Sequence, residues 1–560
     1  MTRREVVWLL ALTCLLAFVL AACGDGEETS TQTATASVAP SPLGTGTPAT
    51  GLSPTAVVNA GDARVIDLAT TAPMLTVFAV DTGDLRNDVS SVAVGDFNGD
   101  GVDDLLVGAR FGDGPDDSRE DSGEAYLILG STDLPSTVDL ANGEQDLTIF
   151  GEKTGDYLGF GVAAADLNDD GTDDIIVSSP TSEGILDPDF RTDRGEVYVI
   201  FGGPDLGGVM DLATQEPDVT IIAAEGFSLM GDSMATGDLN GDGIDDLVLG
   251  APFAGREPGA PHGGPRTELG EVYVIFGSPD LGGSISIPEK QQNFTISGPE
   301  QYSELGDAMA VGDVNDDGKD DIIAVAEAAD GPDAARPNTG VVYVVFGSSD
   351  LSGVVETAQN QQDLMIVGPT DQDALGFSAA SRDVNGDDID DIILVAQRAD
   401  APGRETSGEA YVIYGSRDLG GIIDVAKGEQ DVTIEPADAH DLLTSCAAGR
   451  DLNDDGIDEI MLGTGFGQGP ANQRDGAGEA YVIFGSDNLS STIDLAQPSY
   501  DIVIFGAHND DRLGGAVTTG DLNDDGHPEI IVVAVGVDGP GDGRQDAGAI
   551  YVISADNESR

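Results

Sequence analysis

A nine-residue acidic segment, Asp96-Phe97-Asn98-Gly99-Asp100-Gly101-Val102-Asp103-Asp104, occurs in seven versions along the chain and limits the fold more than any other feature. The copies start at Asp96, Asp166, Asp238, Asp313, Asp383, Asp451 and Asp521, a period of 68 to 75 residues. A repeat of this kind marks units that cannot each bury a core alone and must pack against their neighbours.

Each acidic segment is followed by an apolar run, such as Leu105-Leu106-Val107 or Ile175-Ile176-Val177, which reads as a strand buried on both faces. A second strand comes next, with Tyr126, Tyr198, Tyr273, Tyr343, Tyr411, Tyr481 and Tyr551 each three residues after a glycine, where a packing role is expected. An outer strand such as Leu147-Thr148-Ile149-Phe150, and one leading into the acidic loop such as Phe160-Gly161-Val162-Ala163-Ala164, make four per copy. The 77 glycines, 27 prolines and 5% aromatic content suit short strands and tight turns. These features predict an all-β fold, a seven-bladed β-propeller with four antiparallel strands per blade over residues 63–560. The last copy stops after Tyr551-Val552-Ile553 without its outer strand, and Leu75-Thr76-Val77-Phe78 matches the missing piece. The N-terminal strand is therefore expected to close the last blade and leave no open edge at the join.

The acidic loops carry the donor pattern of a Ca²⁺ site. Positions 1, 3 and 5 offer side-chain oxygens from Asp96, Asn98 and Asp100, and then from Asp166, Asn168, Asp170; Asp238, Asn240, Asp242; and Asp313, Asn315, Asp317. The last three copies supply Asp383, Asn385, Asp387; Asp451, Asn453, Asp455; and Asp521, Asn523, Asp525. Position 7 would give its backbone carbonyl, from Val102, Thr172, Ile244, Lys319, Ile389, Ile457 and His527. Position 9 would give a carboxylate, from Asp104, Asp174, Asp246, Asp321, Asp391, Glu459 and Glu529. Six to eight such oxygens suit Ca²⁺, whereas Mg²⁺ gives up its water less readily. Up to seven Ca²⁺ are expected, the fifth more weakly held because Asp388 stands where the other copies have a glycine that turns freely to positive φ. The competing reading is a set of metal-free Asx turns. Against it, several carboxylates converging within a few ångströms repel unless a cation neutralises them.

The formal charge is −78, from 102 acidic against 24 basic residues, which tells against nucleic acid or anionic lipid as partners. Seven dications would leave most of that charge in place, so the loops do not account for the general acidity.

One arginine per copy lies four residues before the glycine of the tyrosine strand: Arg119, Arg191, Arg266, Arg336, Arg404, Arg474 and Arg544. If the calcium hairpins occupy one end of each blade, these arginines ring the other. Each guanidinium would tie its loop to a carboxylate on a neighbouring connection, Asp156 or Asp307 for instance, or the ring would receive an anionic ligand through bidentate hydrogen bonds.

At the N-terminus, Arg3 and Arg4 precede an apolar run from Val6 to Ala22, as in a secretory signal. Leu20-Ala21-Ala22-Cys23 resembles the lipobox of bacterial lipoproteins, which implies cleavage after residue 22 and diacylation of Cys23. Residues 23–62, rich in Thr, Ser, Ala, Pro and Gly, form a tether spanning about 35 Å as a flexible coil. The expected location is extracytoplasmic, with the membrane reached through the lipid alone. Cys446 is then the one cysteine of the domain, so the fold has no internal disulfide.

The repeat units resemble FG-GAP repeats, the blades of the integrin α-subunit propeller. Gly159-Phe160-Gly161 and Leu375-Gly376-Phe377 stand at the FG position and Gly250-Ala251-Pro252 supplies the GAP triplet. The resemblance implies a calcium-stabilised disc, a monomer that takes a protein or polysaccharide ligand on the face opposite the calcium loops. Catalysis has weaker support. The sequence holds no Gly-x-Ser-x-Gly elbow, phosphate loop or zinc spacing, and His262, His440, His508 and His527 are scattered. Phospholipase D enzymes that cleave lipid-sugar anchors share similar repeats, and some polysaccharide lyases are propellers, so a Ca²⁺-dependent lectin or an enzyme acting on extracellular polysaccharide or glycolipid is the alternative. The mature chain has no tryptophan on which a sugar could stack, since Trp8 lies in the signal.

Overall fold

The structure is a computed structural model, described here for residues 63–80, 92–181, 195–223, 228–255, 269–300, 302–332, 336–540 and 543–555. The signal segment, Cys23 and the tether, together with Arg191 and Arg266, lie outside the described residues.

Seven sheets form seven blades. In the first, Val92–Gly95, Asp104–Ala109, Glu124–Ile128 and Leu147–Phe150 run antiparallel in that order. The first strands of successive blades touch one another all the way round the ring, so they line its axis. The second strand starts on position 9 of the acidic loop and buries all six residues in every blade. Burial on both faces explains its unbroken aliphatic sequence, since each large aliphatic side chain removed from water contributes about 1.5–3 kcal/mol. The apolar residues gather between blades rather than at the axis: Leu105 and Val107 of the first blade pack on Leu75, Val77, Ile531 and Val533 of the last.

Each sheet has five strands, one more than the sequence pattern predicts. The extra strand comes from the next repeat. After its own third strand, the second repeat sends Gly208–Asp211 back to pair in parallel with Leu147–Phe150 of blade 1, and only then forms its fourth strand, Val219–Ile222. Every blade is thus fastened to its successor. These segments are three or four residues long, and their partner lies in another repeat, so no local periodicity reveals them.

The same rule closes the ring. The last repeat ends after its third strand, Ala549–Ser554. Residues from the N-terminus supply the rest: Leu75–Phe78 pairs antiparallel with it, and Arg64–Asp67 adds the parallel outer strand to Ile502–Phe505 of blade 6. The expected closing strand is present, and a second one precedes it.

Candidate functional site

The acidic loops join the first and second strands at one end of the blades. In the first loop the Asp96 carboxylate accepts from the amides of Gly99 at 2.8 Å, Asp100 at 3.1 Å and Gly101 at 2.8 Å. Asp100 accepts from Val102 N–H at 3.0 Å. The bonds from positions 5, 6 and 7 recur in all seven loops, as in Asp170, Gly171 and Thr172, or Asp455, Gly456 and Ile457, whereas the position-4 bond is made by Gly99, Gly241 and Gly386. Position 6 requires positive φ: Gly101 has φ 89° and nothing lies near the space a Cβ would fill. Asp388 adopts φ 64° at that position and its amide still donates to Asp383 at 2.7 Å, so the fifth loop keeps the turn with a residue less suited to it.

Position 9 is buried beneath the loop. Asp104 accepts from Phe97 N–H at 3.1 Å and from Gly130 N–H, beyond the third strand, at 2.8 Å. Glu459 does the same with Leu452 at 3.0 Å and Gly485 at 2.8 Å, its longer arm reaching equivalent amides. Burial pushes Asp104, Asp174, Asp246 and Asp391 up to about 7, and Asp321, Glu459 and Glu529 up to about 8. The amide of the position-3 asparagine donates to this carboxylate, as Asn315 does to Asp321 at 2.9 Å. Among the described residues no three acidic or imidazole side chains converge closely enough to hold an ion in this conformation. The loops instead present a preformed turn rich in hard oxygens, in which positions 1 and 5 point at backbone amides and position 3 at position 9. This donor set fits Ca²⁺ in chemistry. In the fourth loop Lys319 already sets its ammonium 3.2 Å from Asp317.

Position 8 has a role the spacing did not reveal. Asp173 of blade 2 accepts from Asp96 N–H at 2.9 Å and its own amide donates to the Asp96 carbonyl at 3.0 Å. Asp320 with Asp238, Asp390 with Asp313, and Asp103 with Asp521 repeat this two-way link, so it stitches loop to loop between blades. Blade 7 has Pro528 at position 8, which can neither donate nor accept there. Near that gap Arg450 of blade 6 reaches past blade 7 to Asp103 of blade 1.

At the other end of the blades, the five described arginines of the ring each join three elements. Arg336 donates to the carbonyls of Gly368 at 2.6 Å and Pro369 at 3.3 Å, after the fourth strand, and makes a two-pronged bond to Asp424 at 2.8 and 2.9 Å. Asp424 ends the outer strand that the next repeat contributes. Arg119 pairs likewise with Asp211 at 2.8 Å, Arg404 with Asp494 at 2.7 Å, Arg474 with Asp67 at 2.8 Å and Arg544 with Asp139 at 2.7 Å. The partners expected from sequence, Asp156 and Asp307, are elsewhere: Asp156 accepts from Lys153 N–H and Asp307 pairs with Glu327. The reason is the unforeseen fifth strand, whose terminal acid lies nearer. Burial raises the Asp424 carboxyl, but Arg336 and Lys427 outweigh it and hold it below its ordinary value.

On this face Tyr302 and Phe466 are exposed, and the Arg512 guanidinium lies 5.6 Å above the Phe466 ring. Arg110 stands over Phe111 at 4.7 Å and Phe160 at 4.8 Å.

The FG-GAP repeat model matches residues 89–128, 158–200 and 230–275. Phosphatidylinositol-glycan-specific phospholipase D of Homo sapiens is 28% identical over 391 residues, covering 67% of this chain and 43% of that protein. Integrin alpha-5 of Xenopus laevis is 30% identical over 269 residues, covering 47% of this chain and 21% of its own. The chain therefore spans less than half the length of either relative. A solved structure, BBS1N in complex with ARL6DN, aligns over 86% of this chain and 98% of its own with a TM-score of 0.42 and 8% identity, a likeness too loose to argue from. Repeats, blade closure and relatives agree that the chain carries FG-GAP repeats on a β-propeller of the integrin α type.

Proposed function

We propose that this protein is a calcium-stabilised binding module displayed outside the cytoplasm, held at the membrane by a lipid on Cys23 and a tether over residues 23–62. Its ligand, a protein or a polysaccharide, docks on the face opposite the acidic loops, and the module acts as a monomer without catalysis. The observation that carries the reading is the division of labour between the two ends of the blades. One end repeats a rigid, oxygen-rich turn seven times. The other exposes Tyr302 at one blade junction and Phe466 under the Arg512 guanidinium at another, the aromatic and arginine chemistry that anchors protein contacts. The arginine ring contributes to this end mainly by holding its loops in place, since its guanidinium groups are engaged by carboxylates and carbonyls. The similarity to phospholipase D keeps a second reading, a lectin or hydrolase that depends on Ca²⁺ and acts on polysaccharide or glycolipid.

Calorimetric titration of Ca²⁺ into the chelator-treated protein, with thermal melts before and after, tests the metal reading. About seven bound ions and a higher melting temperature are expected, since a ligand held by the folded state alone stabilises it. No heat and no shift would leave the loops as metal-free turns. Release of lipid or sugar products by the calcium-loaded protein would favour the second reading.

A further inference from the structure

The residue just before position 1 divides the seven acidic loops. It is Gly95, Gly237, Gly312 and Gly520 in loops 1, 3, 4 and 7, and Ala165, Arg382 and Arg450 in loops 2, 5 and 6. None of the four glycines has positive φ, so glycine supplies space there rather than a turn. The position-8 aspartate of the next blade takes that space. A Cβ on Gly95 would lie 2.5 Å from Asp173 Oδ2 and one on Gly312 2.6 Å from Asp390 Oδ2, and Asp320 stands against Gly237 in the same way. Gly520 has more room, with 3.4 Å to Asp103 Oδ2.

The same four loops have position 1 held at both its amide and its carbonyl. Asp173, Asp320, Asp390 and Asp103 each accept from the position-1 N–H of the loop before and donate to its carbonyl. Loops 2 and 5 have half of this link. In loop 2 the Asp245 carboxylate reaches the Asp166 amide. In loop 5 the Asp458 amide donates to the Asp383 carbonyl at 3.1 Å, while its carboxylate lies 4.0 Å from Arg382 and turns to Asp451 of its own loop. Pro528 gives loop 6 neither half.

Position 8 directly precedes position 9, where a strand buried along its whole length begins, so the hold comes from a rigid element. What it fixes is the backbone of position 1, whose carboxylate organises the turn by accepting from the amides of positions 5 and 6.

We propose that Asp173, Asp320, Asp390 and Asp103 are positioning residues for calcium: each holds the first ligand of the preceding loop in place, so loops 1, 3, 4 and 7 bind Ca²⁺ more tightly than loops 2, 5 and 6. Groups that orient a ligand from outside the coordination shell change metal affinity by about 10- to 100-fold. A ligand already in place also loses less freedom on binding. The proposal rests on the calcium reading of the loops and deepens it by ranking them.

Calorimetric titration of Ca²⁺ into the chelator-treated full chain should resolve four ions in a tighter class and the rest at least about tenfold weaker. Gly95→Ala alters no ligand, but it should crowd Asp173 off Asp96 and move one ion from the tighter class to the weaker. In an Asp96→Ala background, where loop 1 has already lost its first ligand, the same change should move none, which separates positioning from a general loosening of the fold. Ala165→Gly makes room beside Asp245 and should move one ion the other way, a gain that a poorly folded variant cannot produce. Seven ions of equal affinity, or an equal effect of Gly95→Ala with and without Asp96, overturns the proposal and leaves the calcium reading standing. No binding at all overturns both.

Discussion

Glu479 shows how single positions in this fold trade charge against burial. It is 4% exposed, accepts from the Tyr481 hydroxyl and the Gly469 amide, and burial raises its carboxyl to about 7. A carboxyl raised in the folded state binds its proton more tightly there than in the unfolded chain. Its contribution is complete below the unfolded value and is lost as pH rises through about 7. Glu479→Gln removes the charge and keeps an oxygen for Tyr481. The variant should match wild type at pH 5 and melt higher at pH 8, each pKa unit being worth about 1.4 kcal/mol. Equal melting temperatures at both pH values would show that the carboxyl is not held protonated. Asp388 illustrates another trade, a left-handed turn taken by a side chain where six other loops use glycine.

At the scale of elements, the arginines clamp three pieces of chain that the hydrophobic pattern alone leaves loose. Arg336 holds the connection before the third strand, the exit of the fourth strand and the end of the fifth. Replacing it by alanine leaves the Gly368 and Pro369 carbonyls without their side-chain donor and Asp424 with Lys427 as its remaining cationic partner. Arg336→Ala should lower stability by roughly 2 kcal/mol, read as an earlier denaturant midpoint, because orphaned partners cost more than the bond itself contributes. An unchanged midpoint would free the ring for a purely ligand-facing role. The arginine register was visible in the sequence because each residue keeps a fixed distance from its strand glycine. Its true partners were not, because Asp211, Asp424 and Asp67 belong to strands defined by pairing with another repeat. The second strands and loop turns were legible for the opposite reason: an unbroken aliphatic run and an Asp-x-Asn-x-Asp-Gly turn are each specified locally. The position-8 links stayed hidden within the same Asp-Asp pairs that suggested metal, since only the ring geometry brings Asp173 to Asp96.

The whole molecule depends on how its ends meet. Blades 1 to 5 each borrow one strand from the repeat that follows, and the chain would run out at blade 6 if residues 64–78 did not complete two blades at once. Leu75 and Val77 enter the apolar layer between the last and first blades, while Ile66 enters the layer between the sixth and seventh. Losing this segment would uncover both layers and leave Ala549–Ser554 and Ile502–Phe505 as unpaired edges, the kind of edge that recruits other chains. Two truncations separate the tether from the closure. Removing residues 1–62 should leave the melting transition where it is in the full chain. Removing residues 1–79 should broaden and lower it and drive association on a sizing column, because two of seven blades are incomplete. Adding a peptide of residues 63–80 should restore the sharper transition by refilling both edges. If the shorter chain melted as cooperatively as the full one, the ring would have to be held by the remaining blades alone, and closure by the N-terminal strands would be a decoration rather than the condition of its stability.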